Sequence, residues 1–268
     1  MKYTIGVDLG TSGVKLIALG SDGRIASSVT KEYPIYYPKP HYSEQDPEDW
    51  FKATVDGLSE LLCSVDPSDV AALGIGGQMH GLVMLDENDR VLRPAILWND
   101  TRSEEEVSFL NDVLSIDKLQ SYTGNIAFAG FTAPKLMWVK KNEPDVFERC
   151  AKICLPKDYI VYRLTGVFGT DVSDASGTLY YDVENRRWSP EMLSVLSITE
   201  NMLPKVYESF EPVGRTSVCG LNAVVCAGAG DNAAAAVGTN TVEQGGCNIS
   251  LGTSGTVFIP TDKYVKTS

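Results

Sequence analysis

Asp8-Leu9-Gly10-Thr11-Ser12-Gly13-Val14-Lys15 is the stretch whose reading decides the fold. Before it, Tyr3-Thr4-Ile5-Gly6-Val7 is apolar, partly β-branched and short enough for a buried strand. After it, Val14 to Leu19 reads as a second strand. Gly10, Thr11, Ser12 and Gly13 then form a tight hairpin with little side-chain bulk. Glycines let the backbone approach a ligand, and successive N–H groups in a turn can cradle an anion. The hydroxyls of Thr11 and Ser12 add donors, and Lys15 adds a positive charge. Asp8, at a strand end beside such a cradle, suits Mg²⁺ held through waters. The plainer alternative is a Gly-rich hairpin in which Asp8 bonds its own turn. The coincidence of Asp, Gly, Thr, Ser and Lys favours phosphate binding.

The 268 residues allow one large domain or two small ones. With 35 acidic residues against 23 basic ones, the net charge is −12, which argues against nucleic acid or an anionic membrane as partner. An anionic nucleotide therefore needs local help from groups such as Lys15. The six cysteines are scattered without a Cys-x-x-Cys pair, and are expected as buried, reduced thiols in a cytosolic protein. Met1 leads almost directly into a strand, with no run resembling a signal peptide or a membrane span, so the expected location is cytoplasmic.

Tyr3–Val7, Val14–Leu19 and Arg24–Tyr33 predict an antiparallel meander. Asp46 followed by Pro47 predicts a helix start, running to about Cys63. Val70–Ile75 predicts a buried strand that opens into Gly76-Gly77-Gln78-Met79-His80-Gly81. Leu82–Leu85 and Ala95–Trp98 are further strands. Asn99 to Arg102 is expected to cap a helix near Ser103, whose Glu104-Glu105-Glu106 reads as solvated surface. Thr132–Lys141, Pro156–Leu164 and Pro190–Leu196 predict helices, and Gly166–Asp174 a short hairpin. Ala223–Ala227 predicts a strand and Asp231–Val237 a helix; Gly246–Ile259 reads as strand, turn and strand.

Two more stretches carry chemistry. In Ala227-Gly228-Ala229-Gly230-Asp231-Asn232-Ala233, a strand, a glycine turn, a carboxylate and a helix follow within a dozen residues. A plain Asp N-cap is the simple alternative. Gly228-x-Gly230-x-x-Ala233 also fits the glycine spacing of a dinucleotide fingerprint, but Gly245 to Pro260 holds no acidic residue where that motif needs one. Gly77-Gln78-Met79-His80-Gly81 describes an exposed loop at a strand end, although a lone histidine there is more often structural. No Walker A loop occurs in the chain.

The first loop resembles that of the actin-like ATPases, a superfamily of sugar kinases, heat-shock chaperones and actin. Lys15, the Gly230-Asp231-Asn232 turn and the Met79-His80 loop are similar to those of the FGGY carbohydrate kinases, and Gln78-Met79-His80-Gly81 is most like the xylulokinase branch. Glycerol kinases carry an Arg-Glu pair in its place, which this chain lacks. Ser43 to Pro47, Pro94 to Asp100, Gly130 to Lys135, Leu155 to Tyr159 and Ser173 to Thr178 also resemble that branch.

The resemblance implies an α/β fold, an actin-like, ribonuclease H-like domain with a mixed five-stranded sheet and flanking helices. It implies ATP and Mg²⁺, and transfer of the γ-phosphate to a sugar hydroxyl, D-xylulose to D-xylulose 5-phosphate. Another ketose, a pentitol or gluconate are the alternatives within the chemistry. A chaperone- or actin-like ATPase, or a non-catalytic sugar-binding module, are alternatives of another class. By the same resemblance Asp231 is the catalytic base and Asp8 serves catalysis beside it. Met79, His80, Gln78, Trp98, Asp231 and Asn232 contact the sugar, although core packing competes for Trp98. Gly10, Thr11, Ser12 and Lys15 bind phosphate, as do Gly252, Thr253 and Ser254 in a second loop, which could also be a polar hairpin. No side chain is assigned as a direct metal ligand. A homodimer is compatible with the family.

Residues 1–245 are expected to be the sugar-binding N-terminal domain and 246–268 the start of a truncated nucleotide-binding domain, so that the chain alone is inactive. One departure concerns 214–223, which lacks the helix expected before the Asp231 strand.

Overall fold

Seven residues with alternating burial make strand β1, Tyr3–Leu9: Ile5, Val7 and Leu9 point inward, while Thr4 and Asp8 face out. The computed structural model describes residues 1–251 and 255–265. Strand β2, Gly13–Gly20, returns antiparallel, with Asp8 opposite Lys15, and β3, Ile25–Glu32, continues the meander. This period-two pattern buries one face of each strand.

Helix α1, Pro47–Leu61, begins as its sequence predicts: the Asp46 side chain accepts from Glu48 N–H and Pro47 takes the first turn. It lays Trp50, Leu58 and Leu61 on the inward face of the sheet. Strand β4, Val70–Gly77, then joins β1 in parallel, pairing Asp8 with Gly76. Helix α2, Thr132–Asn142, belongs to a second hydrophobic core, which also holds Leu82, Met84, Ile96, Tyr180 and Trp188. Helix α3, Pro156–Thr165, returns to the first core through Tyr159, Ile160, Val161 and Leu164.

The chain completes the sheet with β5, Pro212–Thr216, β6, Ala223–Cys226, and β7, Ala229–Gly230. β6 and β7 both pair in parallel with β4 and are one strand broken at Gly228. Gly228 has φ +82°, and a β-carbon there would sit 1.9 Å from the Ile75 carbonyl oxygen, so the break requires glycine. Helix α4, Asp231–Gly238, follows directly.

The sheet runs β5-β6-β4-β1-β2-β3, mixed and flanked by helices. Against an expectation of five strands it has seven, in six positions because β6 and β7 share one. The predicted strands at 82–85 and 95–98 stand outside it, Val83–Leu85 pairing with Lys152–Cys154 and Ala95–Ile96 with Glu44–Gln45. The sixth position is β5, which pairs antiparallel with β6; the stretch 214–223, where a helix is missing, holds the end of β5 and a single 3-10 turn, Val218–Gly220. Other expectations needed correction. Gly169–Asp171 pairs in parallel with the distant Lys205–Tyr207 instead of closing a local hairpin. The helix Glu104–Ser108 has no side-chain cap: the Asp100 carboxylate accepts from Ser43 N–H and Arg102 instead. Glu106 is buried, whereas Glu104 and Glu105 are exposed. All six cysteines are free, but only Cys150 and Cys154 are buried, and Cys63 and Cys247 are exposed.

Candidate active site

The parallel strands β1, β4 and β7 end side by side, and their ends carry the three stretches singled out in the sequence. Gly76 lies between Asp8 on β1 and Ala229 on β7 in register, so Asp8 and Asp231 come to one edge of the sheet. In doubly flanked sheets, ligands bind beyond the carboxyl ends of parallel strands.

Asp231 opens α4 just after the Gly228 break, and its carboxylate accepts from Asn232 N–H at 2.7 Å. The carboxylates of Asp231 and Asp8 present exposed edges, yet the surrounding chain strips part of their hydration. For Asp231 this desolvation raises the carboxyl above the usual range, opposed by the Asn232 bond and reinforced by the charge on Asp8. Asp8 is raised too, by the same loss of water, with Lys15 across the hairpin pulling the other way.

The Gly10–Gly13 loop is held from below. Gly10 N–H donates to Gly13 O at 3.0 Å, so that N–H is already partnered inside the turn. Tyr33 donates its hydroxyl to Gly10 O. Trp98 Nε1 donates to Thr11 Oγ1 at 3.0 Å, and Gln45 Nε2 to Thr11 O at 2.7 Å. Ser12 stays exposed. Trp98 thus touches the phosphate-loop candidate, a role that the sequence reading did not assign to it.

The Met79-His80 loop sits against the start of α4. Asn232 Nδ2 lies 3.7 Å from Met79 Sδ, and Thr256 from the last hairpin donates to Asn232 Oδ1 at 3.2 Å. His80 Nδ1 is 2.9 Å from Gly177 O. Gln78 is buried and turned away from the loop surface: its Nε2 donates to Gln45 Oε1 at 3.0 Å, and its backbone N–H donates to Leu9 O. Gly252, Thr253 and Ser254 lie outside the described residues; the strands Asn248–Leu251 and Gly255–Phe258 on either side of them pair antiparallel.

The sequence reading missed the support beneath Asp231. Lys157, fully buried, places Nζ 2.6 Å from Asp158, 3.0 Å from Asp171 and 3.7 Å from Asp174. Burial disfavours that charge, but the three carboxylates outweigh it and hold the ammonium protonated. Ser173 donates to Asp171 at 2.5 Å and accepts from Gly230 N–H at 3.1 Å, tying this cluster to the residue before Asp231. The signal was a lysine among aspartates in otherwise apolar or hydroxyl-rich segments, Leu155 to Tyr159 and Ser173 to Thr178. Gln45 was missed likewise: it is fully buried and also accepts from Trp50 Nε1.

A mixed sheet with flanking helices and paired carboxylates at the ends of its parallel strands defines an actin-like ATPase domain. The chain belongs to the FGGY family of carbohydrate kinases: that family's N-terminal domain matches residues 3–238. The xylulose kinase of Escherichia coli (strain K12) is 44% identical over 267 residues, covering 97% of this chain and 55% of that protein. The crystal structure of a xyloylose kinase from Brucella ovis superposes with a TM-score of 0.90 at 42% identity, covering 94% of this chain and 54% of the other. A ligand-bound xylulose kinase from Lactobacillus acidophilus gives a TM-score of 0.91 at 28% identity, covering 96% and 54%. The chain thus spans about half the length of the curated relatives it matches.

Proposed function

We propose that this chain is the sugar-binding half of an ATP-dependent xylulokinase, which converts D-xylulose to D-xylulose 5-phosphate in the cytoplasm. Residues 1–245 form that half, and 246–268 begin the nucleotide-binding half. The observation that carries the reading is the convergence of Asp8, Asp231 and the Met79-His80 loop at one sheet edge.

In this reading Met79, His80 and Asn232 line the sugar site, with Asp231 beside the hydroxyl to be phosphorylated. As the hydroxyl oxygen bonds to the γ-phosphorus, its proton passes to a carboxylate oxygen of Asp231, and the bond from phosphorus to the ADP oxygen breaks. A carboxyl raised by desolvation is a stronger proton acceptor than an ordinary aspartate. Lys15 and the Gly10–Gly13 turn meet the phosphates. Asp8, a hard oxygen donor near a strand end and opposite Lys15, fits Mg²⁺ held through waters and phosphate. When bound, Mg²⁺ neutralises charge on the phosphates.

The test is a thermal-shift screen of the 268-residue chain against pentuloses, pentitols and gluconate, with and without Mg-ATP. Stabilisation by D-xylulose above the other sugars is expected. Preference for gluconate or a pentitol would move the substrate, and indifference to every sugar would remove the reading.

A further inference from the structure

His80 follows β4 with φ +67°, a left-handed conformation that is uncommon outside glycine, so something must hold it. Two grips do. Its carbonyl accepts from Lys135 Nζ at 2.9 Å and Thr132 Oγ1 at 3.2 Å, and Lys135 also donates to Gly130 O at 2.5 Å. Lys135, on α2, is fully buried. The ring is held separately, with Nδ1 2.9 Å from Gly177 O and its centroid 4.8 Å from that of the tilted Phe131 ring.

The two grips are linked. Ala133 N–H, in the first turn of α2, donates to Thr178 O at 3.0 Å, fastening the Gly177 segment to the helix that carries Lys135. Position 177 also has to lack a side chain. A β-carbon there would lie 2.4 Å from His80 Cε1 and 2.6 Å from Nδ1, so any side chain at 177 would push the ring off its Nδ1 contact.

A carbonyl oxygen only accepts, so the Nδ1 contact requires a proton on Nδ1. A neutral ring then leaves Nε2 as an acceptor. We propose that Gly177 and Lys135 are positioning residues that hold His80 as a neutral, Nδ1-protonated imidazole whose Nε2 accepts a hydrogen bond from a sugar hydroxyl. This deepens the sugar-site reading above and rests on it. The groups facing the ring are Lys135 from α2, Phe131 just before it and the Gly177 carbonyl. Burial, followed by the Lys135 charge, pushes the imidazole down to about 4, against the opposing pull of the Gly177 bond. Because the ring stays neutral with its proton on Nδ1, Nε2 accepts a hydrogen bond from a hydroxyl instead of donating one.

The chain contains two histidines, and His41 is exposed, so ¹⁵N ring correlation spectra of the 268-residue protein resolve His80 without difficulty. The expected spectrum at neutral pH shows His80 with Nδ1 protonated and Nε2 bare. An Nε2-protonated ring, or an imidazolium, would overturn the proposal with no sugar present. Saturating D-xylulose is expected to move the Nε2 resonance. Sugar binding, seen as a thermal shift, that leaves Nε2 unchanged overturns the acceptor role alone. No shift with any sugar overturns that role together with the sugar-site reading, while the ligand-free tautomer still reports the histidine's state.

Gly177→Ala is expected to keep the fold, lose the Nδ1-protonated signature and weaken D-xylulose binding roughly three- to tenfold, the worth of one neutral hydrogen bond. An unchanged tautomer in a folded Gly177→Ala protein removes Gly177 from the positioning role. Lys135→Met, close in shape but uncharged, should let His80 titrate nearer its ordinary value, and no change there removes Lys135.

Discussion

Asp8, near the end of β1, and Asp231, just beyond β7, lie at the carboxyl ends of the two strands that flank the end of β4, and burial, reinforced by the negative charge of Asp8, holds the Asp231 carboxyl above its usual range. Asp8 stands opposite Lys15 beside the phosphate-loop candidate, and Asp231 precedes Asn232, whose amide reaches Met79 among the sugar-site candidates.

That division predicts the effect of Asp231→Asn. In a two-domain kinase carrying this chain, sugar affinity should stay near wild type while kcat falls by ~10²–10⁴, the usual worth of a general base. Steady-state kinetics beside calorimetric sugar titration check this. A kcat within tenfold of wild type would take the base role from Asp231.

Asp8→Ala should act on the other side of the pair. The dependence of rate on Mg-ATP is expected to weaken much more than sugar affinity, because Asp8 lies beside Lys15 and the Gly10–Gly13 turn. Rates measured while Mg-ATP is varied decide it, and superimposable curves would count against the assignment.

His80 makes stability depend on pH. Its folded value of about 4 lies below the ordinary 6.5, so between these values the unfolded chain binds more protons than the folded one. The stabilisation is complete above pH 6.5 and is lost as pH falls to about 4, by at most about 3 kcal/mol. Urea unfolding of wild type and His80→Gln across this range isolates the effect. A constant difference between the two proteins from pH 7 to 4 would refute it.

Lys157→Ala should be costly to the fold, because it leaves Asp158, Asp171 and Asp174 buried without their shared cation. Breaking a buried ion pair from one side typically costs about 3–5 kcal/mol. Urea unfolding at neutral pH reads this directly, and a loss below about 1 kcal/mol would show that the carboxylates find another partner.

The 268-residue chain alone should bind D-xylulose and form no measurable ADP. Sugar-site candidates Met79, His80 and Asp231 are assembled within it, but phosphoryl transfer needs γ-phosphate and hydroxyl aligned, an effect worth ~7–11 kcal/mol. In kinases that close two domains, the closure makes that alignment. A coupled ADP assay with purified chain tests it, and turnover in the usual kinase range of roughly 1–100 per second would overturn it.

Much of this was written in local sequence. Alternating burial from Tyr3 to Gly20, Asp46-Pro47 at a helix start and glycines around Asp231 act over a few residues, and the elements predicted from them lie close to where they were expected. The same locality made Asp8, His80 and Asp231 visible, since each stands at a strand end flagged by glycine. Long-range pairing decided the rest. Gly169–Asp171 looked like half of a hairpin because nothing nearby announces that its partner is Lys205–Tyr207. The resemblance marks Gln78 as a sugar contact, and only the fold shows its amide also reaching Gln45, 33 residues away in sequence. Lys157 and Lys135 stand in predicted helices with nothing nearby to mark them as buried, and only the folded chain surrounds one with carboxylates and the other with carbonyls. A buried charge is tolerable only with partners in place, and those partners come from segments that sequence order keeps apart.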